Sequence, residues 1–185
     1  RLDGQNVIAT VLMSDIRGFT TLSEHEEPTT VLAWLNDYFG GLVPIISSHG
    51  GVVDKFEGDA ILAFFGILPR PLTPKESAYQ ACLAAVEMLK RIDGLNDQRA
   101  VNGLPPYVTG IGLNTGPVTA GGLGTVDRLN YTVSGDAVNI AQRLESSTRA
   151  CGTIEIVISE NTAAALEEHA AEFNLELLGT QSLKE

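Results

Sequence analysis

Val7-Ile8-Ala9-Thr10-Val11-Leu12-Met13-Ser14-Asp15-Ile16-Arg17-Gly18 is a short run of branched apolar residues that ends abruptly in a polar, glycine-containing segment. It reads as a buried strand that delivers a carboxylate, Asp15, to a loop. Two further strand-like runs, Val52 to Glu57 and Ala60 to Phe65, are separated by Gly58-Asp59, the signature of a tight hairpin. The second carboxylate, Asp59, therefore also sits at a turn beside an apolar strand. A charge at either point is expensive without a counter-ion, so something positive is expected between Asp15 and Asp59. Two hard carboxylates on strand ends suit Mg²⁺ or Mn²⁺, which take oxygen ligands and keep positions open for substrate phosphates. Paired ions of that kind clamp the attacking and leaving oxygens of phosphoryl chemistry. Both residues are equally compatible with ordinary loop acids, because Asp is a common turn residue.

Outward from these strands, Val31, Leu35, Phe39, Leu42 and Ile46 recur at helical spacing between Pro28 and Ser48, in a helix that Gly40, Gly41 and Pro44 should weaken or kink. Thr73-Pro74-Lys75-Glu76 supplies an N-cap, a proline at the first helical position and a reciprocal capping acid, opening a helix expected to end at Asp93 before Gly94. Val108 to Thr115 and Pro117 to Leu123 flank Thr115-Gly116 and predict a second hairpin. Tyr131 to Val133 is a short extended piece. Ser134 can cap a helix from Gly135 to Thr148, with Ala137, Val138, Ala141 and Leu144 on one face and Asn139 and Arg143 on another. Thr153 to Ile158 predicts a strand, Glu160 to His169 a short helix, and Phe173 to Leu178 a closing strand. Strands and hairpins interleaved with helices argue for an α+β fold in which helices cover one sheet. No internal repeat or long linker splits residues 1–185, which read as one domain.

The chain has 185 residues, with 44% hydrophobic and 19% charged, enough for one core and too apolar for disorder. Its net charge of -11 argues against nucleic-acid binding. Mean hydropathy is only +0.10, and the longest apolar stretch, Ala60 to Leu68, is far shorter than a membrane span, so no direct membrane contact is expected. Cys82 and Cys151 form neither a disulfide framework nor a metal pattern, which points to a reducing, cytoplasmic setting. A start at Arg1 and an end in Leu183-Lys184-Glu185 suggest a module of a longer, multidomain protein.

Four segments, taken in order, resemble the catalytic domain of class III nucleotidyl cyclases across nearly the whole chain. They are Val11-Leu12-Met13-Ser14-Asp15-Ile16-Arg17-Gly18-Phe19-Thr20, Lys55-Phe56-Glu57-Gly58-Asp59, Gly112-Leu113-Asn114-Thr115-Gly116, and Gly135-Asp136-Ala137-Val138-Asn139-Ile140-Ala141-Gln142-Arg143-Leu144. The resemblance implies a ferredoxin-like, palm-like, mainly antiparallel sheet covered by helices. It also implies two divalent ions, Mg²⁺ or Mn²⁺, per active site, held by Asp15, Asp59 and the Ile16 carbonyl. Backbone amides around Phe19 and Thr20 would hold phosphate oxygens, as successive N–H groups in a turn make an anion nest, although Phe19 equally fits plain core. Lys55 stands at the family's base-reading lysine, and a lysine, which only donates, suits adenine N1. Thr132 stands at the second base-reading point, where many members carry aspartate; a Lys-Thr pair resembles the class IIIb subgroup, largely adenylyl cyclases and often bicarbonate-responsive. Asn139 and Arg143 match the family's transition-state pair, orienting the ribose and offsetting charge at the α-phosphate. Lys184 resembles the lysine sent to the terminal phosphates.

The implied activity is conversion of ATP to 3′,5′-cyclic AMP and pyrophosphate. It would take place in a head-to-tail homodimer, with the metals on one protomer and Lys55, Thr132, Asn139 and Arg143 from the other. One departure is Gly110, where the family usually has a triphosphate-binding arginine; Arg17 is the nearest candidate to replace it. Alternatives are a guanylyl cyclase, which typically carries Glu and Cys at the two base-reading points, and a degenerate cyclase-homology module that only dimerises or regulates. A diguanylate cyclase is disfavoured because its Gly-Gly-Asp/Glu-Glu-Phe turn is absent. His25, His49 and His169 fall in no motif.

Overall fold

The computed structural model describes residues 4–125, 128–150 and 152–179. Strands β1 (Gln5–Ile16), β2 (Gly51–Glu57), β3 (Ala60–Phe65), β4 (Thr109–Thr125), β5 (Arg128–Ser134) and β6 (Ile156–Ile158) form one sheet. Its order is β2-β3-β1-β4-β5, antiparallel throughout, and β6 adds to β4 in parallel. The helices are α1 (Phe19–Ser23), α2 (Pro28–Ser48), α3 (Pro74–Val101), α4 (Asp136–Ser147) and α5 (Glu160–Leu166), followed by a 3₁₀ segment, Glu167–Glu172. The expected α+β architecture, a mainly antiparallel sheet with helical cover, is the one observed.

The opening strand is mostly apolar from Val7 to Met13 because both of its faces are covered from Ala9 to Ser14. Leu12 and Ile16 point into a core with Ile61, Phe65, Ile111 and Leu113, closed by Tyr38, Leu42 and Ile46 of α2 and the alanine-rich side of α3. Ala9, Val11 and Met13 point the other way, into a second core with Leu62, Phe64, Val118 and Val133 that Ala137 and Ala141 of α4 close. The Thr73/Glu76 capping box forms as expected, each partner bonding the other's backbone N–H.

Several boundaries differ from expectation. β4 is one 17-residue strand, with no hairpin at Thr115-Gly116. It pairs with β1 without a break from Thr109 opposite Ile16 to Ala120 opposite Gln5. Its glycines mark close approach of α4 rather than a turn: a Cβ on Gly112 would overlap the Ala141 carbonyl and the Glu145 amide, both backbone atoms. α3 runs past Gly94 to Val101, held by Arg99, which is buried between the rings of Trp34 at 4.4 Å and Tyr107 at 4.0 Å. α2 passes through Pro44, anchored by buried Leu42, Ile45 and Ile46. Ser134 ends β5 and caps nothing; the N-cap of α4 is Gly135, at φ 132°, a conformation that excludes other residues. The strand expected over Thr153 to Ile158 shortens to β6, and the helix expected to His169 ends at Leu166. Phe173 to Leu178 is no strand, and Leu177 there is 97% exposed.

Two glycine substitutions should therefore act with opposite sign. Gly112→Ala forces α4 off the sheet and is expected to cost about 1–3 kcal/mol, outweighing the gain from a stiffer unfolded chain. Gly94→Ala, at a half-buried position within α3, meets nothing within 4 Å and should stabilise by about 0.5–1 kcal/mol. Urea unfolding of the two variants checks both.

Candidate active site

The Gly58-Asp59 turn joining β2 to β3 is clamped to the end of β1: Asp59 Oδ2 accepts the Ile16 N–H at 2.8 Å. That bond brings Asp59 to the end of the strand that carries Asp15. Asp15 lies on the β1 face covered by α4, two residues beyond Met13, and its Oδ2 accepts from Arg149 Nη2 at 2.8 Å. Among the described residues no donor reaches its buried Oδ1 or the buried Oε1 of Glu145, the innermost residue of α4 at this end. Burial pushes the Glu145 carboxyl up to about 8, and the hydrogen bond and charge of Asp15 add to the rise. Burial also raises Asp59, against the pull of the Ile16 N–H and with a further push from Asp15.

Three acids thus converge beside one guanidinium. Unpartnered carboxylate oxygens and excess negative charge fit divalent cations. Among the described residues no trio of His, Cys, Asp or Glu side chains could hold a metal ion by itself. The donor set fits an ion that completes its shell with backbone, water and substrate oxygens, as Mg²⁺ does.

The elevated Glu145 carboxyl has a consequence for stability. Its folded pKa lies above the ordinary 4.5, so between that value and about 8 the native state binds more protons than the unfolded chain, and stability falls as pH rises through the window. In metal-free buffer Glu145→Gln is expected to leave Tm nearly unchanged at acid pH. At alkaline pH, above the window, it should raise Tm by about 4–8 °C, as about 2 kcal/mol would. Parallel melting profiles for the two proteins would show that Glu145 does not titrate this way.

A separate cleft of about 580 Å³ opens between β2, β5 and α4, lined by Lys55, Glu57, Met13, Val133, Asp136 and Asn139 among others. It brings together two of the residues singled out in the sequence, Lys55 and Asn139. Arg143 follows Asn139 by one helical turn, half-buried, and is not part of this lining. Thr132 on β5 is not part of this lining; its hydroxyl donates to Oδ2 of Asp54, the residue before Lys55, at 3.5 Å. Asp15, Ile16 and Asp59 do not line the cleft, so one chain presents two groups of polar residues.

Three expectations are revised or fall elsewhere. Arg17 does not stand in for the missing arginine at Gly110: its guanidinium donates to the carbonyls of Thr148, Gly152 and Ile154, tying β1 to the segment after α4. Gly110 itself faces α4, where a Cβ would overlap Thr148 Oγ1. The Phe19 side chain is core, 8% exposed, leaving only its amide toward the turn, while Thr20 is exposed. Both residues lie in the first turn of α1, where amides have no intrahelical acceptor. Lys184 and Cys151 lie outside the described residues. Cys82 is buried, and burial pushes its thiol up to about 12. His49 bonds Gln80 and Glu87 and His169 stacks on Tyr79, both packing roles.

Sequence reasoning passed over Asp54, Glu145 and Arg149. Glu145 extends the Ala137, Ala141 spacing by one more turn, which marks it as inward-facing; Asp54 and Arg149 had no such local signal.

The model of the family described as the adenylate and guanylate cyclase catalytic domain matches residues 5–185. Adenylate cyclase 1 of Rhizobium meliloti (strain 1021) is 35% identical over 144 residues, 78% of this chain and 21% of that protein. Adenylate cyclase of Anabaena cylindrica is 38% identical over 161 residues, 85% of this chain and 30% of that protein. The chain thus spans less than a third of these curated relatives. Among solved structures, the adenylyl cyclase CyaB from P. aeruginosa superposes with a TM-score of 0.82 at 36% identity, covering 90% of this chain and 84% of that one. The guanylyl cyclase Cya2 superposes with a TM-score of 0.79 at 39% identity, covering 88% and 80%. No helix among the described residues is long and apolar enough to cross a membrane. On the match to the family model over residues 5–185 and on these relatives, the chain belongs to the adenylate and guanylate cyclase catalytic domain family.

Proposed function

We propose that this domain is an adenylate cyclase that converts ATP to 3′,5′-cyclic AMP and pyrophosphate at sites shared between two head-to-tail protomers. The observation that carries the reading is the cleft that Lys55 and Asn139 line together. Lys55 offers only donors, which suits the unprotonated N1 of adenine and opposes the N1–H of guanine. The Thr132 hydroxyl takes the 6-amino group. Asn139 orients the ribose, and Arg143 one turn later stabilises charge that develops at the α-phosphate. The first-turn amides of Phe19 and Thr20 hold triphosphate oxygens. Asp15 and Asp59, with the Ile16 carbonyl, would hold two Mg²⁺ or Mn²⁺ ions, whose chemistry is to acidify the ribose 3′-hydroxyl and neutralise the triphosphate. Two-fold symmetry accounts for the separation of the two residue groups in one chain: each site takes its carboxylates from one protomer and its cleft from the other.

Purified domain assayed with ATP and with GTP, each in Mg²⁺ and in Mn²⁺, tests this. Cyclic AMP is the expected main product, with kcat/KM favouring ATP on the order of a hundredfold, since a mismatched nucleobase leaves polar groups unpaired. Cyclic GMP as the main product overturns the adenine assignment. The Lys55–Thr132 pair also supports activation by bicarbonate through the subgroup it resembles; turnover unchanged by added bicarbonate at fixed pH removes that part.

A further inference from the structure

Asp54 precedes Lys55 and interrupts the ladder between β2 and β3. Val53 stands opposite Ala63 and Lys55 opposite Leu62, so Asp54 is the extra residue of a β-bulge. Bulges break strand alternation and re-aim side chains, often next to active sites. Here the carboxylate turns inward: its side chain is 1% exposed, while the adjoining Lys55 is 47% exposed. Oδ2 lies 3.5 Å from the Thr132 hydroxyl and 3.8 Å from Lys55 Nζ, and Oδ1 has no partner among the described residues. Burial raises this carboxyl, with Lys55 as the largest opposing influence. A buried acid whose Lys55 ion pair and Thr132 hydrogen bond are both long, with the Val133 N–H as its other favourable neighbour, is a poor stabilising element. Its place between the two base-reading side chains gives it a different use.

An ionised carboxylate can only accept, so when Thr132 bonds Asp54 the hydroxyl proton points at Asp54. The lone pairs of Thr132 are then left for the ligand. We infer that Asp54 is a positioning residue for nucleobase choice, fixing Thr132 as an acceptor for the adenine 6-amino group. Guanine meets the wrong partner twice, its N1–H against the ammonium and its 6-oxo oxygen against the lone pairs. The Asp54–Thr132 pair thereby does the work of the aspartate that the resemblance implies many family members carry at the position of Thr132, with the negative charge moved one side chain back. This inference rests on the adenylate cyclase reading above.

The test compares ATP with purine riboside 5′-triphosphate, which carries hydrogen in place of the 6-amino group. In Asp54→Asn, kcat/KM for ATP is expected to fall about tenfold, the scale of one misdirected hydrogen bond to a charged network, while kcat/KM for the analogue changes by less than about twofold. The ATP preference over GTP should narrow in parallel. The double variant Asp54→Asn with Thr132→Asp keeps one carboxylate in the pair, now at position 132, and is expected to restore the ATP preference; it also serves if the single variant does not fold. Equal losses on ATP and the analogue, or no loss on ATP, overturn the inference and leave the cyclase reading standing. A wild-type domain that forms no cyclic nucleotide overturns both.

Discussion

Alanine at Asp15 or at Asp59 should abolish cyclase turnover, lowering kcat by at least about a thousandfold in Mg²⁺ and in Mn²⁺, because each removes half of the carboxylate charge available to the ions. The two variants differ in what else they disturb. Asp59 Oδ2 holds the Ile16 N–H, so Asp59→Ala also loosens the hairpin from the end of β1 and should lower Tm. Asp59→Asn keeps an acceptor oxygen there and should melt near the wild type while remaining inactive. Asp15→Ala releases Arg149 and one source of repulsion on Glu145, and should leave the fold intact. Binding of Mn²⁺ with nucleotide, followed by calorimetry, is expected to weaken in all three. Retention of Mn²⁺-dependent turnover in either alanine variant would falsify the metal assignment.

Mixing two inactive variants should recover activity. If each site takes Asp15 and Asp59 from one protomer and Lys55 and Asn139 from the other, a dimer of Asp59→Asn with Asn139→Ala has one doubly damaged site and one intact site. Random pairing makes half of the dimers mixed, and half of their sites are whole, so about a quarter of wild-type activity is expected. Each variant alone should stay at background. The separation of the Lys55–Asn139 cleft from the Asp15–Asp59 cluster within one chain is the structural ground for this expectation. An active site complete within one protomer would leave the mixture as inactive as its components.

The glycines of β4 show where local reading fails. Gly110 and Gly112 fall inside an expected strand with no local reason to be glycine, and Thr115-Gly116 reads as a turn, because glycine is the usual marker of one. The cause of Gly110 and Gly112 is a helix lying against the sheet, whose register depends on residues far along the chain, and Gly116 lies within an unbroken ladder. Gly94 misled in the opposite sense: it suggests a helix end, yet buried Ile92 and Arg99 on either side keep α3 continuous. Arg17, a free cation by sequence, is occupied by three carbonyls of the segment after α4.

What the sequence determined by itself is the set of features that short-range chemistry encodes. These are the two-faced apolar strand ending in Asp15, the hairpin that places Asp59, the Thr73–Glu76 cap and the helical spacing of Asn139 and Arg143. Each rests on periodicity or on bonds within a few residues. Tertiary structure alone decided which charged groups meet: Arg149 with Asp15, Glu145 beside both, and Asp54 with Thr132 across the sheet. The reason is physical. The cost of burying a charge depends on which distant partner the fold supplies, and an acid at a bulge or the end of a buried helix face looks the same in sequence as one in water.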